Sequence, residues 1–248
     1  LQKIYNHYDD VLGDNRIRTI VTEFEKQREA EFLSMNAQRS ELNPENKLNN
    51  IKDVDFYYNK TFPLCMYLIQ KHINENAHLM HLGRLQYSLF LKGAGMPLDE
   101  ALNFFKTKYE RRTNAAAFEK QYAYNIRHTY GQEGKRHDYE PYSCRKIMSL
   151  NNPSSSECHG CPFKTYDDDR LKQIIINLGI KDVDVAKILE KKRNNEFPLA
   201  CLRFYEARYP GADYEKVGIH PNKFLESAMK AVRKQTEGKS KTSNQGKK

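Results

Sequence analysis

Apolar residues recur at helical spacing in several stretches of the chain. Ile17, Ile20, Val21 and Phe24 fall at i, i+3, i+4 and i+7, which puts them on one stripe of a helix. Charged residues dominate the rest of the run to Arg39, so one narrow face packs. From Ser40 to Asn59, Asn, Asp and Lys with Pro44 read as a linker or surface loop. Phe62-Pro63 then opens a second helix, with proline in the first turn, where its missing N–H costs nothing. Leu98, Ala101, Leu102, Phe105 and Tyr109 mark a third. Asn151 to Glu157 reads as a loop, Leu171 to Leu189 as one or two helices, and Phe197-Pro198 as the start of another reaching about Tyr209. Alternating strand patterns are scarce. The expected fold is mainly α, compact, without repeats and with few short β-strands.

Composition narrows the class. The 248 residues suffice for one domain or two small ones with a buried core. Sixteen Tyr, twelve Phe and no Trp are consistent with a globular chain. No apolar run approaches the roughly 20 residues of a membrane span, and the start carries no signal-peptide pattern. The chain opens at Leu1 rather than Met, so it is expected to be part of something longer. The net charge of +9 points to an anionic partner. However, seven basic residues and one acid lie between Ser227 and Lys248, in a Gly/Ser/Lys/Asn stretch that reads as a disordered tail. Local clusters therefore carry the case for nucleic acid.

Two clusters stand out. KHINENAHLMHLGRLQYSLFLK, Lys71 to Lys92, has one acid, Glu75, against Lys71, His72, His78, His81, Arg84 and Lys92. His81, Arg84 and Ser88 can share a helical face. YAYNIRHTYGQEGKR, Tyr122 to Arg136, interleaves Tyr122, Tyr124 and Tyr130 with Asn125, Arg127 and His128. That mixture suits stacking on bases together with phosphate contacts. A solvated helix face and core-filling tyrosines are the plainer readings of the same residues.

The five cysteines are Cys65, Cys144, Cys158, Cys161 and Cys201. An odd number without a signal peptide argues against a secreted disulfide framework. Buried inert thiols, a zinc site using Cys158 and Cys161 with His159 or more distant ligands, and an iron–sulfur centre held by dispersed thiolates all fit the spacing. A thioredoxin-like dithiol fits poorly, because Pro162 follows the pair and no βαβ unit is visible.

The motifs FPLCM, HLGRLQYSLFLKGAGM, YAYNIRHTYGQEGKR, YSCRKI, HGCPF and FPLAC occur in this order between about Thr61 and Phe224. Together they resemble the C-terminal iron–sulfur domain of the eukaryotic DNA primase large subunit. The resemblance implies a compact helical domain around a buried [4Fe-4S] cluster, with Cys65, Cys144, Cys161 and Cys201 as ligands. Cys158 stands where the family usually has a non-cysteine residue. The implied organisation is 1–59, the end of a helical N-terminal domain plus connector; 60–226, the iron–sulfur domain; and 227–248, the basic tail.

The resemblance also implies a non-catalytic subunit that binds template DNA and the 5′-triphosphate end of an RNA primer. Such a subunit would support initiation, primer length control and handoff during DNA replication in the nucleus. Its partners would be the primase small catalytic subunit and the DNA polymerase α complex. Contacts carried over are His78, His81, Arg84, Tyr87, Lys92, Tyr122, Tyr124, Asn125, Arg127 and His128; Met80 departs from the basic residue common in the family. No carboxylate set suited to two-metal nucleotidyl transfer is apparent, and Asp167-Asp168-Asp169 reads as a helix cap. A zinc-stabilised nucleic-acid module and a helical adaptor with structural cysteines are the alternatives.

Overall fold

The computed structural model describes residues 47–214 and 217–245, with side chains through residue 236. The chain divides into two compact units, Leu1–Glu45 and Asn46–Lys248. The helix expected over Ile17 to Arg39 lies outside the described residues. The second unit runs α1 (Ile51–Thr61), α2 (Leu64–Asn76), α3 (His81–Gly93), α4 (Leu98–Tyr109), α5 (Ala115–Phe118), a π-helical turn (Glu119–Ala123), α6 (Tyr124–Thr129), α7 (Cys144–Ser149), α8 (Pro162–Thr165), α9 (Asp168–Asn177), α10 (Asp182–Arg193), α11 (Phe197–Arg208) and α12 (Pro221–Gln245). No strand occurs among the described residues, so the expected short strands are not found.

Two other expectations are corrected. Residues 51–59 are helix rather than loop, because Asn50 caps α1 by accepting from the amides of Lys52 and Asp53. Leu48 and Val54 are then fully buried, which ties this segment to the second unit instead of to a connector. The stretch from Ser227 is not all tail: it continues α12, and Ala228, Met229 and Ala231 are buried. The hydrophilic composition of both segments concealed a few apolar residues at helical spacing, and those few suffice to dock each helix.

The interior has two apolar clusters. One joins α1 to α4 and α6 around Phe62, Tyr87, Phe90, Phe104 and Phe105. The other joins α9, α10 and α11 around Phe163, Leu171, Val185 and Phe204. Helices α2 and α12 serve both: Met66, Leu225 and Met229 face the first, whereas Leu64, Phe224 and Ala228 face the second. Four of the five cysteines pack on these clusters. Cys65 and Cys158 pack on the first cluster, Cys201 on the second, and Cys161 on both.

Candidate metal centre and nucleic-acid interface

Helix starts position the cysteines. Pro63 caps α2, leaving Cys65 in its first turn. Ser143 caps α7 by accepting from the Lys146 amide, and Cys144 is that helix's first residue. Cys161 is the cap of α8, with Pro162 following at its first position. Pro198 lies in the first turn of α11, and Cys201 follows on the next. Positive partial charge at a helix start favours a thiolate.

Cys65, Cys144, Cys161 and Cys201 line one largely apolar cavity of about 40 Å³, several times the roughly 10–15 Å³ that one water needs. Burial pushes all four thiols up, Cys144 to about 12. For Cys65, Cys144 and Cys201 the next cause is the charge of other cysteines in the set. Four thiolates crowded into an apolar space are costly unless a positively charged centre compensates them, which is what a metal centre supplies. No three His, Cys, Asp or Glu side chains among the described residues are grouped closely enough to hold a single metal ion.

Cys158 is separate. It does not line the cavity, and its thiol is raised to about 11 by burial, with Arg170 lowering it and Glu75 raising it further. The turn between it and Cys161 is fastened to α3. The buried Gln86 accepts from the Gly160 amide at 2.8 Å through Oε1 and donates from Nε2 to the Gly160 carbonyl at 3.5 Å. Gly160 has φ +82°, which favours glycine.

Another face of α3 lines a second site. His81, Arg84, Tyr124, Asn125 and His128 line a cleft of about 320 Å³, together with Ser88, Thr129, Tyr139 and Tyr142. Three lining residues are basic and none is acidic. Arg84 is held rather than swinging: it is 8% exposed, donates to the Leu79 carbonyl at 2.9 Å, and lies 5.0 Å over the Tyr122 ring. Ser88 and Thr129 are joined by a buried 3.0 Å hydrogen bond that fixes α3 to α6. Tyr124 is 49% exposed. The π-helical turn just before it shifts the register of the run from Ala115, with Tyr122 then half-buried and Tyr124 at the cleft.

Five expected contacts do not line this cleft. Tyr87 is fully buried and donates to Gln70 Oε1 at 2.5 Å, so it is a core residue out of a ligand's reach. Lys92 is 9% exposed at its side chain and donates to the carbonyls of Thr129 at 2.8 Å and Tyr139 at 2.7 Å and to the Asp138 carboxylate. Those three acceptors use an ammonium's three donors. Arg127 is bound by Glu119 at 2.6 Å and Glu133 at 2.9 Å. Tyr122 supports Arg84 from below the cleft. His78 packs against Tyr109 and Tyr122, and burial, then Arg84, holds its imidazole below the usual range. Conversely, the sequence pattern did not single out Tyr139 and Tyr142. Their signal was the DYEPY run, whose second tyrosine is also the first residue of YSC.

Residues 56–225 match the family described as the C-terminal domain of the large subunit of eukaryotic and archaeal DNA primase. The chain belongs to that family. It is 35% identical over 91% of its length to a probable DNA primase large subunit of Arabidopsis thaliana, covering 50% of that protein. It is 40% identical over 71% of its length to the DNA primase large subunit of Mus musculus, covering 35% of it, and 29% identical over 95% to that of Saccharomyces cerevisiae, covering 46%. The chain thus spans a third to a half of the length of these relatives.

Proposed function

We propose that this chain is the part of a primase large subunit that grips the start of an RNA primer on its DNA template. The observation that carries this reading is the cleft, in which His81, Arg84 and His128 converge with Tyr124 and Asn125 and no carboxylate intrudes. A triphosphate is a dense anion. Arg84 offers charge-assisted donors of fixed geometry, and a held guanidinium loses little entropy on binding. His81, the first residue of the 13-residue α3, brings the positive end of that helix to the same cleft. Tyr124 supplies an exposed ring for a base, and Asn125 a hydrogen-bonding amide.

The domain is read as non-catalytic, because two-metal nucleotidyl transfer needs carboxylates and the cleft has none. Asp167 and Asp168 have structural work: the first caps α9, and the second pairs with Lys192 and Arg193. The primase small catalytic subunit would bring the chemistry, and DNA polymerase α would take the primer over, in the nucleus. Cys65, Cys144, Cys161 and Cys201 would hold a [4Fe-4S] cluster. A bound cluster supplies a cationic core that compensates four thiolates. These residues tie α2, α7, α8 and α11 across the seam between the two apolar clusters.

The test compares primer–templates ending in a 5′-triphosphate or a 5′-hydroxyl at fixed salt. Arg84→Ala is expected to weaken the triphosphate form by about 1–3 kcal/mol and the hydroxyl form far less. Circular dichroism and iron content must first match wild type. Equal losses on both ends would leave a general basic surface and remove the triphosphate assignment.

A further inference from the structure

The loop between α6 and α7 carries Tyr139 and Tyr142 to the cleft. It is fastened at defined points. Lys92, in the last turn of α3, donates to the Tyr139 carbonyl and the Asp138 carboxylate, and also to the Thr129 carbonyl at the end of α6. Pro141 seats against Gly93, where a Cβ would stand 2.3 Å from its ring. The Tyr139 ring lies 4.9 Å from that of His128, tilted by 34°, and His128 in turn lies 6.1 Å from Tyr124 at 30°. His137 meets the edge of Tyr139 at 4.8 Å and 85°. A row of aromatic rings thus runs along a cleft without acidic residues, and Tyr139 is still 36% exposed.

A tyrosine held in place through its own carbonyl, and still partly open to water, serves a partner better than it serves the core. We infer that Tyr139 is a further nucleobase-stacking residue of this cleft, and that Lys92 is its positioning residue, a strut for the loop instead of a phosphate ligand. This rests on the reading of the cleft as a nucleic-acid site. It assigns the loop a role, and it gives the buried ammonium of Lys92 a task that its three acceptors already describe.

The experiment uses the full chain and RNA-primed DNA with either 5′ end, at fixed salt. Tyr139→Ala is expected to weaken both ends alike, by roughly fivefold to 150-fold, the fold-change that stacking worth about 1–3 kcal/mol corresponds to. Tyr139→Phe should retain binding, because the ring is what stacks. Lys92→Met should also weaken both ends alike, and trypsin should cut faster after the exposed Lys135 and Arg136 of the released loop. Wild-type affinity in Tyr139→Ala removes the stacking role. A Lys92→Met loss confined to the triphosphate end, or an unchanged cleavage rate, removes the strut. Tyr139→Ala stands alone should Lys92→Met fail to fold. Arg84→Ala, run beside them, separates the two levels: no loss on either end sinks the cleft itself.

Discussion

A Cβ on Gly83 would stand 2.4 Å from the carbonyl oxygen of Cys158. Helix α3 and the turn leading to Cys161 therefore touch backbone to backbone, beside Arg84. The same helix faces the cleft of His81 and Arg84 on one side and the cysteine segment on another. Gly83→Ala is expected to force the two apart and to lower stability by about 1–3 kcal/mol or more, as overpacking does. Urea melts would measure it; an unchanged midpoint would mean that the turn yields freely.

Each cavity cysteine should matter and the fifth should not. Serine at Cys65, Cys144, Cys161 or Cys201 is expected to cut iron and sulfide content and to destabilise the domain, since metal binding is coupled to folding. Cys158→Ser should keep iron near normal, because its thiol lies outside the shared cavity. Iron and sulfide assay on anaerobically purified protein decides it. The opposite pattern, with iron lost in Cys158→Ser and kept in Cys161→Ser, would overturn the ligand set.

Tyr87→Phe separates core from contact. It removes the donor to Gln70 Oε1 in a fully buried site, which should cost roughly 1–3 kcal/mol of stability for the orphaned acceptor. Primer–template affinity should not change. Thermal melts and binding isotherms on one preparation read both, and a loss of affinity in a folded variant would restore Tyr87 to the interface.

His78 gives a pH dependence of known sign. Burial, and secondarily Arg84, Arg112 and His72, depress its folded pKa, so below about 6.5 the unfolded chain takes up the proton more readily. Its contribution is nil at higher pH and becomes unfavourable as pH falls from about 6.5 through the depressed value. His78→Gln should therefore flatten the loss of stability between about pH 7 and pH 5. Parallel pH slopes for variant and wild type would exclude this group as the cause.

Local pattern by itself marked five of the described helices, α2, α4, α9, α10 and α11. The Phe-Pro pairs opening α2 and α11, the stripe from Leu98 to Tyr109, and the cap at Asp167 are all decided by neighbours within a turn or two. Ordered motifs were enough to carry the family resemblance, since they preserve residue identity along the chain without need of coordinates. Local pattern failed where few apolar residues anchor a polar helix. Asn, Asp and Lys around Val54, and the lysines after Ser227, outweigh in composition the buried side chains that dock α1 and α12. The site was legible as a set of residue types but not as a geometry. Cys158 and Cys161 lie three positions apart, yet only Cys161 reaches the cavity, because Gln86 and Gly83 fix the turn between them against α3. Lys92 and Arg84 are both basic residues of one helix. Only packing decided that Lys92 turns its ammonium to two carbonyls and a carboxylate while Arg84 lines the cleft. The physical reason is common to both cases: charge and metal-binding potential belong to a side chain, but which groups compete for it is set by segments distant in sequence that meet only in the folded chain.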